Sequence, residues 1–149
     1  IAVSGSAVFT RTISLPADLA ESDIESQVQI EANQYIPYPL DEVSLDFEVL
    51  GPSARNADLM DVLLAASKSE NIESRQDAID TAGLKAKVVD VEAFAIANAF
   101  EMIRQRDGVN RNEAIGLFDI GYDLTTLLVL KAGQVTYTRD HPFGGHQLL

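Results

Sequence analysis

The 149 residues carry 23 acidic against 11 basic side chains, a formal net charge of −12, with 46% apolar residues and no cysteine. Such a composition is that of a folded chain with one good core or two small ones. It excludes disulfides and thiolate chemistry, and charge of this sign argues against nucleic acid, whose phosphates are met by Lys and Arg, and against unaided adhesion to anionic lipid.

No run of about 18 apolar residues is present, so nothing reads as a membrane-spanning helix. The acidic residues are gathered: between Arg11 and Arg55 there is neither Lys nor Arg, which fits a solvated acidic face or a docking surface for a basic segment. The chain opens on Ile1-Ala2-Val3 as if within a strand, which reads as a piece of a longer protein.

Taken in order, Val3 and the run Val8–Ile13 predict two short strands parted by Ser4-Gly5-Ser6. Ser22-Asp23-Ile24-Glu25 has the capping-box order, and Ile24, Val28, Ala32 and Tyr35 follow at helical spacing. Pro37 and Pro39 end that helix near Gln34 by forcing extended geometry on the residues before them. The stiff segment Tyr35-Ile36-Pro37-Tyr38-Pro39-Leu40 fits either a connector that folds its rings onto a sheet or an exposed binding platform.

Val43–Val49 alternates apolar and polar residues without a fault, and Leu59–Ala66 returns as a nearly continuous apolar strand, predicting a hairpin. Ser69 is placed to cap a helix with Ile72, Ile79 and Ala82 inward, closed by Gly83 in the left-handed conformation. A strand is expected over Leu84–Val91, then a helix over Glu92–Arg106 burying Phe94, Ala97, Ala99, Phe100 and Ile103, then a polar loop over residues 107–112.

Ala114–Gly121 predicts a wholly buried strand ending in Asp119-Ile120-Gly121, and Tyr122–Leu130 a second strand entered through Thr125 and Thr126. Val135–Arg139 completes an antiparallel meander, and Gly144-Gly145 stands where a helix is expected to start. A carboxylate after two large apolar residues is costly to bury, so Asp119 belongs in a cleft, beside a cation or against backbone donors. Asp119-Ile120-Gly121 alone is also what a tight turn looks like. His141 and His146 read either as surface histidines or as half of a metal pair without a third ligand.

These motifs in this order resemble the second phosphate loop and following strands of actin-like ATPases. Val3–Val8, Glu31–Val43, Val88–Glu92 and Phe143-Gly144-Gly145 are similar to the PilM family of type IV pilus assembly proteins, over essentially the whole chain. The resemblance implies an α+β fold: an actin-like (ribonuclease-H-like) core carrying an inserted small α+β subdomain of the kind found in PilM and the division protein FtsA. Residues 1–11 and 88–149 would belong to the core and 12–87 to the insertion.

It further implies ATP and Mg²⁺ as cofactors in the longer protein. Asp119 would help hold the metal, while Gly121, Thr125, Thr126, Gly144 and Gly145 would surround the phosphates. Tyr122-Asp123 departs from the Gly-Gly of many actin-like proteins and sets a second negative charge beside the phosphates.

The partner implied is the cytoplasmic N-terminal tail of PilN, with other pilus platform or motor proteins, in a cytoplasmic protein peripheral to the inner membrane and not inserted in it. Tyr35, Ile36, Tyr38 and Leu40 are the candidate docking residues, chosen for exposed apolar character. Two alternatives stay open: an active ATPase or phosphotransferase, for which Asp123 and Asp140 are the candidate acids, and an FtsA-like membrane-tethered filament protein.

Overall fold

The computed structural model describes residues 1–110 and 112–148; Arg111, expected in the polar loop, and Leu149 lie outside the described residues. In chain order the elements are β1 (Ala2–Val3), β2 (Val8–Pro16), α1 (Glu21–Tyr35), β3 (Val43–Pro52), β4 (Leu59–Lys68), α2 (Ser69–Thr81), β5 (Asp90–Val91), α3 (Glu92–Asp107), β6 (Ile115–Ile120), β7 (Thr125–Lys131) and β8 (Gln134–His141). The α+β character that the resemblance implies is therefore observed. Contacts divide the chain into two units, one of Ile1 with Ala7–Val89 and one of Ala2–Ser6 with the residues from Asp90 onward.

The first unit is built on β4. Its alternating pattern places Met60, Val62, Leu64 and Ala66 on one buried face, and it pairs antiparallel with β2 on one side and β3 on the other. Val62 stands opposite Ile13 and Val49, so one apolar row crosses all three strands. Helix α1 lays Ile24, Val28 and Ala32 onto this face, and the two surfaces form one core. Gly51, at φ 112°, absorbs the register shift between Val49 and Gly51.

Three details correct the sequence expectation here. Helix α1 starts at Glu21 after Ala20, whose carbonyl accepts from the Asp23 and Ile24 N–H groups, and Ser22 turns its hydroxyl to Asp23 instead of closing a capping box. Ser69 is the first helical residue and its hydroxyl pairs with that of Ser44 at 3.1 Å, so it does not cap α2. Residues 84–89 form no strand; only Asp90–Val91 pairs, parallel to the two residues of β1, and Leu84 and Val88 are exposed. A ladder cannot outrun its partner, and β1 is two residues long.

The second unit holds the β1–β5 pair, α3 and the antiparallel meander β6-β7-β8. Strand β7 is central and buries Thr126, Leu128 and Leu130 in alternation. The wholly buried strand expected over 114–121 is corrected: β6 is an edge strand, only Ile115 and Leu117 are half-buried, and Phe118 and Ile120 are 68% and 60% exposed. An apolar run gives the strand but not the number of its covered faces.

Helix α3 buries Ala93 and Ala97, whereas Met102 and Ile103 stand out in solvent. It ends on Gly108 at φ 69°, with Arg104 bracing the exit: Nε donates to Glu101 at 2.6 Å and Nη1 to the Val109 carbonyl at 2.8 Å. Donation to the Glu101 carboxylate raises the guanidinium pKa above its ordinary value. Among the described residues no helix is long and apolar enough to cross a membrane.

Candidate functional site

The β6–β7 hairpin places its polar residues by register. Asp119 stands opposite Thr126, which stands opposite Asp140 on β8, so the three side chains share one face in a single row. Asp119 is exposed at the strand end, and its carboxylate has no hydrogen-bond or ion-pair partner among the described residues. The Gly121 N–H closes the turn on the Leu124 carbonyl at 2.9 Å. A Cβ at Gly121 would lie 3.0 Å from that carbonyl oxygen, so the turn leaves little room for a side chain there.

The segment after β8 folds back onto this turn. Thr125 Oγ1 donates to the Phe143 carbonyl at 2.7 Å, the Gly145 N–H to the Gly121 carbonyl at 2.9 Å, and the His146 N–H to the Tyr122 carbonyl at 3.1 Å. Gly144 is buried against the turn: a Cβ would fall 2.1 Å from the Tyr122 oxygen and 2.6 Å from the Asp123 nitrogen. Its backbone is extended, at φ −151°, so glycine is required here by close approach and not by conformation. The Gly144 N–H itself donates to Gln147 Oε1 at 2.7 Å.

The predicted site residues are thus brought together, but their donors are already engaged. Thr125 gives its hydroxyl proton to Phe143, and Thr126 gives its own to Asp140 Oδ1 at 2.8 Å. The N–H groups of Gly121, Gly144 and Gly145 all donate within the chain. What sequence reasoning missed is which amides remain: those of Tyr122, Asp123 and Leu124 have no partner among the described residues. The Gly121-to-Leu124 closure leaves these three amides unpaired, and only the hydrogen-bond pattern shows it.

Chemically, an exposed, unpaired carboxylate suits a hydrated divalent cation, and unpaired backbone amides suit an anion. No group of three His, Asp or Glu able to enclose a metal occurs among the described residues. His146 Nδ1 lies 2.8 Å from the Tyr122 carbonyl and 3.0 Å from Asp123 Oδ1, and its ring packs on Tyr122 at 5.1 Å between centroids.

The proline-rich stretch is only partly exposed. Ile36 is 7% exposed within the core of the first unit, and Tyr35 and Leu40 pack partly buried against it. The exposed apolar character expected of all four residues therefore holds for Tyr38 alone, at 45%. Ile36 turns inward because it continues the Ile24, Val28, Ala32 stripe of α1. Both rings carry cations: the Arg11 guanidinium lies 3.7 Å from the Tyr35 centroid and Lys68 Nζ 4.7 Å from that of Tyr38.

The family model described as "Type IV pilus assembly protein PilM" matches residues 1–149. Among solved structures, a chain of a PilM-PilN type IV pilus biogenesis complex is similar at 30% identity and TM-score 0.75, over 98% of this chain. The present chain spans 43% of that one, less than half of its length. A protein of Bacteroides thetaiotaomicron with an actin-like ATPase fold and unknown function aligns over 98% of this chain and 48% of its own at 9% identity. Its TM-score is 0.46.

Proposed function

The chain belongs to the PilM family of type IV pilus assembly proteins, and from that premise we propose that it serves as part of a cytoplasmic, nucleotide-binding scaffold that docks the N-terminal tail of PilN. The observation that carries this reading is the 30% identity, over 98% of the chain, to a protein solved in complex with PilN. On this reading residues 12–87, within the unit Ala7–Val89, are the inserted subdomain, and residues 1–11 and 88–149, with the β6–β7 hairpin, belong to an actin-like core.

The residues fit a Mg²⁺-nucleotide in outline. Asp119, exposed and unpaired, would hold the cation through water, and the amides of Tyr122, Asp123 and Leu124 would meet phosphate oxygens. Bound Mg²⁺ would supply charge neutralisation for the phosphates. Gly121 and Gly144 act one step back, letting the turn and the returning segment approach closely, and the Gly145 N–H ties the two through the Gly121 carbonyl. Thr125 and Thr126 act likewise as internal ties.

The tail would dock on the first unit near Tyr38, whose ring and the adjacent Lys68 give an amphipathic edge beside the stiff Pro37 and Pro39. Of the two candidate acids, Asp140 accepts from the Thr126 hydroxyl and Asp123 lies against His146; the likeness to a protein solved with PilN favours an adaptor role over phosphotransfer. Pull-down of the longer protein with a synthetic N-terminal PilN tail tests the proposal. Capture is expected, weakened by Tyr38→Ala; no capture together with multiple ATP turnovers would replace the adaptor by an enzyme.

A further inference from the structure

The Tyr122-Asp123 pair places a carboxylate within the turn whose free amides are assigned to phosphate, and like charges in one turn oppose each other. The returning segment answers this with a single side chain. His146 Nδ1 lies within bonding distance of both the Tyr122 carbonyl, at 2.8 Å, and Asp123 Oδ1, at 3.0 Å, while its ring rests against Tyr122. The same residue's backbone N–H binds the Tyr122 carbonyl at 3.1 Å. One residue therefore contacts the turn through its backbone, its ring nitrogen and its ring face.

We propose that His146 is a positioning residue of the phosphate turn: its Nδ1–H, shared between the Tyr122 carbonyl and the Asp123 carboxylate, latches the turn and occupies the charge that would otherwise oppose an anion. This rests on the nucleotide reading above. The latch needs Gly144, because the segment reaches Tyr122 only where no Cβ intervenes. It also needs Asp123 to be the pair's acid, the one carboxylate within ion-pair distance of His146 among the described residues.

Two variants separate donor from packing. His146→Phe keeps a ring against Tyr122 and loses the donor; His146→Asn keeps a donor near the Nδ1 position and loses the ring. Amide hydrogen exchange at Gly145 and His146, read on this chain, is expected to quicken about tenfold in His146→Phe and to stay within about threefold of wild type in His146→Asn. Mg-ATP affinity, measured by calorimetry on the longer protein, is expected to fall about tenfold in His146→Phe and to recover when Asp123→Asn is added.

Equal exchange in His146→Phe and wild type overturns the latch, as does an equal loss in both single variants. If exchange behaves as expected but Asp123→Asn restores no affinity, the charge-holding half is overturned. If the wild type binds no Mg-ATP, the nucleotide reading fails separately, and exchange alone decides the latch.

Discussion

Thr126 donates its hydroxyl proton to Asp140 Oδ1 at 2.8 Å, across a register pair of β7 and β8, and both groups lie at least half away from solvent. A threonine expected to face phosphate is thereby an internal tie that satisfies a half-buried carboxylate. Thr126→Val keeps the shape and removes the donor, so it should destabilise the second unit by about 1–3 kcal/mol. Thr126→Ser should restore most of the loss. Urea unfolding followed by circular dichroism checks this, and a Val variant as stable as wild type would show that Asp140 finds another donor.

Gly144 offers a sharper case. A methyl group there would overlap the Tyr122 carbonyl, since the 2.1 Å approach is to backbone and not to a side chain that could turn away. Gly144→Ala should cost about 1–3 kcal/mol through forced displacement and should loosen the Gly145-to-Gly121 and His146-to-Tyr122 bonds together. Gly145, whose Cβ position is 3.7 Å from the nearest atom, should tolerate Ala far better. Nuclear magnetic resonance shifts at Gly121 and Tyr122 distinguish the two variants.

What the sequence makes legible depends on whether the signal is local. The alternation of Val43–Val49 and the spacing of Ile24, Val28 and Ala32 each record one covered face, and both elements appear where expected. Exposure of Phe118 and Ile120 is not legible, because an apolar strand reads alike at the centre and at the edge of a sheet. Ile36 reads as exposed for the opposite reason: the prolines after it mask the helical stripe it continues. The partners of Thr125, Thr126 and His146 lie on a distant stretch of chain, and no spacing rule reaches across a meander to find them.

The β7–β8 turn carries a removable strain. Lys131 pairs with Gln134 across Ala132 at φ 53° and Gly133 at φ 79°, the geometry of a two-residue turn with positive φ at both central positions. An alanine held there costs roughly 1 kcal/mol relative to a residue suited to that region. Ala132→Asn should therefore raise the stability of the second unit by about 0.5–1 kcal/mol, with no change in any ligand or partner interaction. A melting temperature unchanged or lowered in scanning calorimetry would count against this assignment of the turn.

Asp119 should separate function from stability most cleanly. Its carboxylate is exposed and has no partner among the described residues, so nothing in the fold depends on its charge. Asp119→Ala should change unfolding free energy by no more than about 0.5 kcal/mol. If the carboxylate holds Mg²⁺ through water, the same substitution in the longer protein should weaken Mg-ATP binding by tenfold or more, about 1.4 kcal/mol. Binding in excess EDTA should show the same loss for wild type and little further loss for the variant, because metal and carboxylate act on one path. Calorimetric titrations with and without Mg²⁺ give all four affinities. A variant that loses affinity equally in both conditions would place Asp119 outside the metal's coordination, with the turn amides alone carrying the phosphate.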